Sequence, residues 1–110
     1  MNRKPKESDW KRFRSMVEDL RERYLKGKNA EMVLELTDSE KTSTEQFWDT
    51  FEKMKAEKKI LEDCLDGHSR SNMFLHILSM YRYGMMTKAD LKGFSEELQG
   101  NIEAFFKDRR

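Results

Sequence analysis

Residues 43–67 read STEQFWDTFEKMKAEKKILEDCLDG. Within them Phe47, Phe51, Met54, Leu61 and Leu65 recur at steps of four, three, seven and four, and only Lys58 interrupts the seam. Each residue of an α-helix advances about 100°, so this spacing gathers the five side chains on one face. Ser43 with Gln46, and Thr42 with Glu45, have capping-box spacing at the start, and Gly67 supplies a stop. The stretch therefore predicts a long amphipathic helix. Lys58 on the seam has two readings: a polar residue that fixes register in a helical contact, or a side chain whose alkyl stem lies on the core while its ammonium reaches water. The second is preferred.

Toward the N-terminus a second seam, Trp10, Phe13, Val17, Leu20 and Tyr24, steps by three and four throughout. It predicts a helix capped by Ser8 or Asp9 and ended near Leu25 or Lys26 by Gly27. Asn29 can cap a short helix Ala30 to Leu36, a run that would suit a strand only if it had a pairing partner. Thr37 to Thr44 reads as a polar connection. Downstream, a helix beginning near Ser69 or Ser71 carries Met73, Phe74, Ile77, Leu78 and Tyr81 and ends at Gly84. Thr87 with Asp90 repeats the capping-box spacing ahead of Leu91 and Phe94. Ser95 then opens a last helix with Leu98, Ile102, Phe105 and Phe106; Gly93 favours a break there over one helix across 88–107. The run Tyr83-Gly84-Met85-Met86-Thr87-Lys88-Ala89-Asp90-Leu91 resembles a common helix, glycine-stop, Thr-capped helix pattern, which carries no function of its own.

The expected fold is all-α: a small antiparallel bundle of four to six helices, with residues 1–7 as a flexible basic arm and 8–110 as a single helical domain. Five Val and Ile residues are too few for a sheet, and no proline follows Pro5. Charged residues make up 39% of the 110 and apolar ones 36%, but the net charge is only +1, which separates the chain from disordered sequences. Seven Phe, two Trp, three Tyr and eight Met supply large apolar side chains for a lean core. The residues expected in it are Trp10, Phe13, Val17, Leu20, Phe47, Phe51, Met54, Leu61, Leu65, Phe74, Ile77, Leu78, Leu98 and Ile102. No apolar run is long enough to span a bilayer, and no apolar segment backs the basic N-terminus as in a signal peptide, so a cytoplasmic protein without membrane partners is expected.

For chemistry, the one cluster to test is Asp63, Cys64, Asp66, His68 and His76. Cys64 and His68 could offer sulfur and nitrogen to a metal, or a His-activated thiolate. Against this stand the single cysteine, Gly67 between the two, and the place of Cys64 beside Leu61 and Leu65 on the apolar face. There is no phosphate-binding glycine loop, nucleophile elbow or calcium loop. The expectation is a non-enzymatic protein with no catalytic, cofactor or metal residues.

Two binding readings remain. Arg3, Lys4, Lys6, Lys11, Arg12 and Arg14 could contact phosphates of a nucleic acid, giving salt-dependent binding. A recognition helix opening Ser95-Glu96-Glu97, however, would present acids where donors are needed. Met85 and Met86 could line an adaptable surface, although a hydrophobic cap filling the core is the simpler account of them. Phe105 and Phe106 are adjacent and cannot both point into one core. Met85, Met86, Phe105 and Phe106 are therefore the expected interface. A helical module for protein–protein interaction or assembly, homodimeric or with another protein, ranks ahead of a nucleic-acid-associated regulator, and both rank ahead of an enzyme or metal site at Cys64 and His68.

Overall fold

The structure is a computed structural model that describes residues 5–107. It is an all-α bundle of five helices, with no strand among the described residues: α1 Glu7–Leu36, α2 Ser43–Leu65, α3 Met73–Arg82, α4 Lys88–Leu91 and α5 Glu96–Lys107. Helices α1 and α2 form a long antiparallel hairpin. The three shorter helices gather at one end of it, which we call the base. The molecule measures 52 × 30 × 23 Å, and its radius of gyration of 16.7 Å exceeds the roughly 13 Å of a compact domain this long. The other end of the hairpin, its tip, projects.

Local chemistry sets the boundaries. Thr42 and Glu45 close a reciprocal capping box at the start of α2, and Thr87 and Asp90 do the same for α4. Gly67 and Gly84 take φ values of +71° and +81°, the left-handed conformation that stops α2 and α3. After Gly84 the amides of Met85 and Met86 both donate to the Met80 carbonyl, at 2.8 and 3.1 Å, which turns the chain back over the end of α3. The break before α5 falls at Ser95, whose Oγ accepts from the Leu98 amide at 3.2 Å.

The start of the chain departs from the sequence expectation twice. α1 begins at Glu7, and neither Ser8 nor Asp9 caps it. Asp9 instead crosses to α5: it is buried, and its carboxylate accepts from the Ser95 amide at 2.8 Å and the Ser95 hydroxyl at 2.6 Å. Gly27 does not end the helix either. α1 runs through it for 30 residues, so the expected short helix at 30–36 is the last stretch of α1. A glycine inside a helix costs about 1 kcal/mol, and contacts on both sides of it offset that. Tyr24 Oη donates to Glu57 on α2, and Met32 is buried.

The core lies at the base. Phe13, Ile77, Met80, Cys64, Met85 and Ile102 are fully enclosed, joined by Trp10, Leu20, Met73, Leu78 and Leu98. Val17, Leu61, Leu65 and Phe74 pack partly buried against them. Phe47, Phe51 and Met54 do not enter this core. They are 57%, 45% and 51% exposed, which corrects the expectation that the whole α2 seam is buried.

Candidate functional site: an apolar flank on the projecting hairpin

Across the tip, α1 and α2 meet through polar groups. Lys41 Nζ donates to Glu35 at 2.5 Å and to Asp49 at 2.7 Å, and Lys53 Nζ donates to Glu35 at 3.0 Å. Gln46 Nε2 donates to the Asp38 carbonyl at 2.8 Å. The cations hold the Glu35 carboxyl below its usual range, Lys41 foremost, and Asp49 and then Glu35 push the Lys41 ammonium upward. Thr50 is the buried α2 residue here, and its Oγ1 has no hydrogen-bond partner.

Counting 100° per residue from Thr50, the seam residues Phe47, Phe51 and Met54 stand 40–100° to one side of the α1 contact. On α1 the same count from buried Met32 turns Val33 and Leu36 to that same side. The hairpin tip thus has a polar seam between its helices and an apolar flank facing outward. Val33, Leu36, Phe47, Trp48, Phe51 and Met54 are all exposed. The rings form an edge-to-face chain: Phe47 to Trp48 at 4.9 Å and Trp48 to Phe51 at 5.8 Å between centroids, with the Lys55 ammonium 6.0 Å from the Phe51 ring. Three half-exposed aromatic side chains leave on the order of 300 Å² of aromatic surface. With Val33, Leu36 and Met54 added, the patch reaches the upper end of what monomeric proteins leave open. It continues toward the base as a groove of about 280 Å³ with an apolar floor of Leu25, Met32, Met54, Leu61 and Leu65 and polar walls that include Glu57, Glu62 and Asp66. Lys58 stands at its edge, exposed, its ammonium 2.8 Å from Glu62.

The expected interface residues lie elsewhere. Met85 and Met86 are 0% and 1% exposed, because the turn after Gly84 drops both into the core. Phe105 and Phe106 are half-buried against that core, Phe106 within 5.1 Å of the Tyr81 ring. Met85 and Met86 thus offer no surface, Phe105 and Phe106 keep part of theirs, and a larger apolar patch sits about the α1–α2 turn.

Arg3 and Lys4 lie outside the described residues. Lys6 pairs with Glu97 at 3.7 Å. The Arg12 guanidinium lies on Gly93, within 2.3–2.6 Å of where a Cβ would stand there. Arg14 sits 5.6 Å from the Trp10 ring. Lys11 is exposed and close enough to Glu7 to help lower its carboxyl pKa, behind Arg70. Acids and aromatic rings thus already engage much of this set.

His68 and His76 come together with their rings 4.5 Å apart, and His68 also meets Phe13 at 4.8 Å. The His68 Nε2 donates to the Cys64 carbonyl, 2.8 Å away, rather than facing the thiol. Burial, with a contribution from Asp63, pushes the Cys64 thiol up to about 11, away from the thiolate that nucleophilic or ligand chemistry uses. Burial and then the neighbouring His68 push His76 below its ordinary value. Among the described residues no group of three or more His, Cys, Asp or Glu side chains is placed to hold a metal ion. No helix among them is long and apolar enough to cross a membrane. Compared with known proteins, the chain matches no family model, no curated protein and no solved structure.

Proposed function

We propose that this chain is a non-catalytic interaction module that engages a protein through the outer flank of its α1–α2 hairpin. The observation that carries this reading is the exposure of Phe47, Trp48 and Phe51 together on one projecting element. Burying apolar surface yields roughly 25 cal/mol per Å², so a solvent-facing aromatic cluster forgoes stabilisation that a partner would restore. Trp and other aromatics are also the side chains that most often dominate binding energy at interfaces. The flank is an open face, without the enclosed cavity of a small-molecule site.

Nucleic-acid contact through the N-terminal basic residues has weaker support, because Lys6 stands beside Glu97 and Arg14 beside the Trp10 ring. The test is a photo-crosslinking amino acid at position 51, with one at Leu75 as control. Leu75 is exposed on α3, away from the flank. A protein adduct from position 51 and none from 75, in the cells that make the protein, is the expected result. No adduct from position 51 would refute the reading.

A further inference from the structure

We propose that His68 and His76 are a proton-operated latch on the joint between α2 and α3, closed while both rings are neutral and released when they take up protons. The chain has two histidines, and the fold brings them into contact. Histidine is the side chain whose charge ordinarily changes between about pH 5 and 8, so this contact gathers all the histidine titration of the molecule in one place. The latch lies at the base and does not depend on the flank at the tip.

Geometry makes the neutral pair the closed one. The joint, residues 66–72, carries His68, whose Nε2 donates to the Cys64 carbonyl near the end of α2 at 2.8 Å. The same ring meets Phe13 of α1 at 4.8 Å and His76 of α3 at 4.5 Å, both edge to face. One imidazole thus ties three helices to the joint. His76 Nδ1 is buried and has no hydrogen-bond partner. In a charged imidazole both nitrogens carry hydrogens, so charging His76 leaves a buried N–H at Nδ1 without an acceptor, which the neutral Nε2–H tautomer avoids. An unpaired buried donor shifts an equilibrium by roughly 5- to 100-fold. Charging His68 as well sets two cations against each other at ring contact.

The surrounding charges do not rescue the charged form. Burial and then His68 hold His76 below its ordinary value, against the pull of the Asp63 and Cys64 carbonyls and the Asp66 carboxylate on the α2 side. Asp66 is exposed, so the solvent screens it. On the α1 side Arg14, Glu18 and Arg21 share an open cavity with His68. Arg21 pairs with Glu22 at 3.3 Å, and Arg14 balances Glu18 in charge. In the joint itself Arg70 is held by Glu7 of α1 at 2.8 Å. An open joint, like an unfolded chain, lets His76 titrate near its ordinary value of about 6.5. It therefore binds more protons than the closed joint, and acidification through that value favours opening. Release uncovers the side of Phe13 on which His68 lies.

The experiment is amide hydrogen exchange of the full chain at about pH 7.5 and about pH 5.5, compared as protection factors. The Asp66 and His76 amides donate to the Glu62 and Asn72 carbonyls at 3.1 Å each, and they report on the two helix ends at the joint. Their protection should fall at least about 5-fold at the lower pH, while that of α5 is retained. His76→Phe keeps a ring in the contact and removes its proton, so its joint should be equally protected at both values. In His68→Gln, histidine-ring NMR should show His76 titrating at a higher pH than in the parent. Unchanged protection at the joint of the parent overturns the proposal, and so does a loss shared equally by α5, which is general acid destabilisation. A His76→Phe variant that loses as much protection as the parent overturns it too. Should that variant fail to fold, the parent and His68→Gln decide: a His76 midpoint indifferent to His68→Gln removes the coupling that makes the pair a latch.

Discussion

At the base of the hairpin, Leu61 and Leu65 pack against the core, while at its tip Phe47, Phe51 and Met54 from the same seam stand in solvent. The helix contact changes with them. At the base, apolar side chains of α1 such as Phe13 and Leu20 lie enclosed in one cluster with Cys64 of α2, Ile77 of α3 and Ile102 of α5; at the tip, Glu35, Lys41, Lys53 and Gln46 join the two helices through hydrogen bonds. One periodic stripe can therefore be core along half its length and surface along the other. Periodicity fixes which residues share a face, and only the neighbouring elements decide what that face meets. The three short helices are long enough to cover one end of a 52 Å molecule and leave the other end bare.

The sharpest way to break this contrast is a pair of truncations. Phe13→Ala should cost about 3–5 kcal/mol, because it opens a cavity in the enclosed base. Phe51→Ala, measured in dilute monomer, should cost less than about 1 kcal/mol, as surface substitutions do. Urea denaturation of both variants reads the difference directly. Comparable losses would mean that the tip is covered in the monomer and that the two ends do not differ.

Much of this was legible in the residues. The two Thr capping boxes, the glycine stops at 67 and 84 and the break at Ser95 each follow from local backbone chemistry, and each stands in the structure. Three features were not legible, for three reasons. Gly27 marks a helix end by propensity, but Tyr24–Glu57 and the burial of Met32 hold α1 together across it. Met85 and Met86 follow a helix end, where exposure is common, and only the turn onto the Met80 carbonyl sends them inward. The apolar flank did leave a local signal. Adjacent Phe105 and Phe106 suggested an interface because neighbours cannot both face one core, and the same reasoning fits adjacent Phe47 and Trp48. The seam through Phe47 concealed it, because that seam does lead into the core at Leu61.

A second test sharpens the base. Arg23 on α1 donates to Asp90 on α4 at 2.5 and 3.2 Å and to the Met85 carbonyl at 3.1 Å. Burial pulls the Asp90 carboxyl upward, but Arg23 and the Thr87 donors outweigh it and hold it down at about 2. A depressed carboxylate pKa contributes stability that is present above the unfolded value near 4 and lost as pH falls toward 2. Arg23 is half exposed, so solvent screening reduces the contribution to about 1–2 kcal/mol. The denaturation midpoint should fall across that window in the parent and fall less in Asp90→Asn. An equal acid slope in both would show that the α1–α4 contact does not anchor the base.

The smallest effect is expected where the two regions join. Gly27 sits on the exposed side of α1, between Tyr24 at the base and Met32 at the tip, and a Cβ added there meets nothing within 4 Å. Its backbone is helical and carries no left-handed strain. Alanine at this position restricts the unfolded chain and favours helix, so Gly27→Ala should raise stability by about 0.5–1 kcal/mol. The gain requires one rigid helix passing from base to tip. Were α1 instead two helices hinged at Gly27, with the tip moving as a separate arm, alanine would oppose the hinge. The variant would then be neutral or less stable, and amide exchange at residues 28–36 would slow sharply. An increase in stability with little change in that exchange would establish that the tip projects because the helix holds it out, and that its apolar flank is a fixed surface.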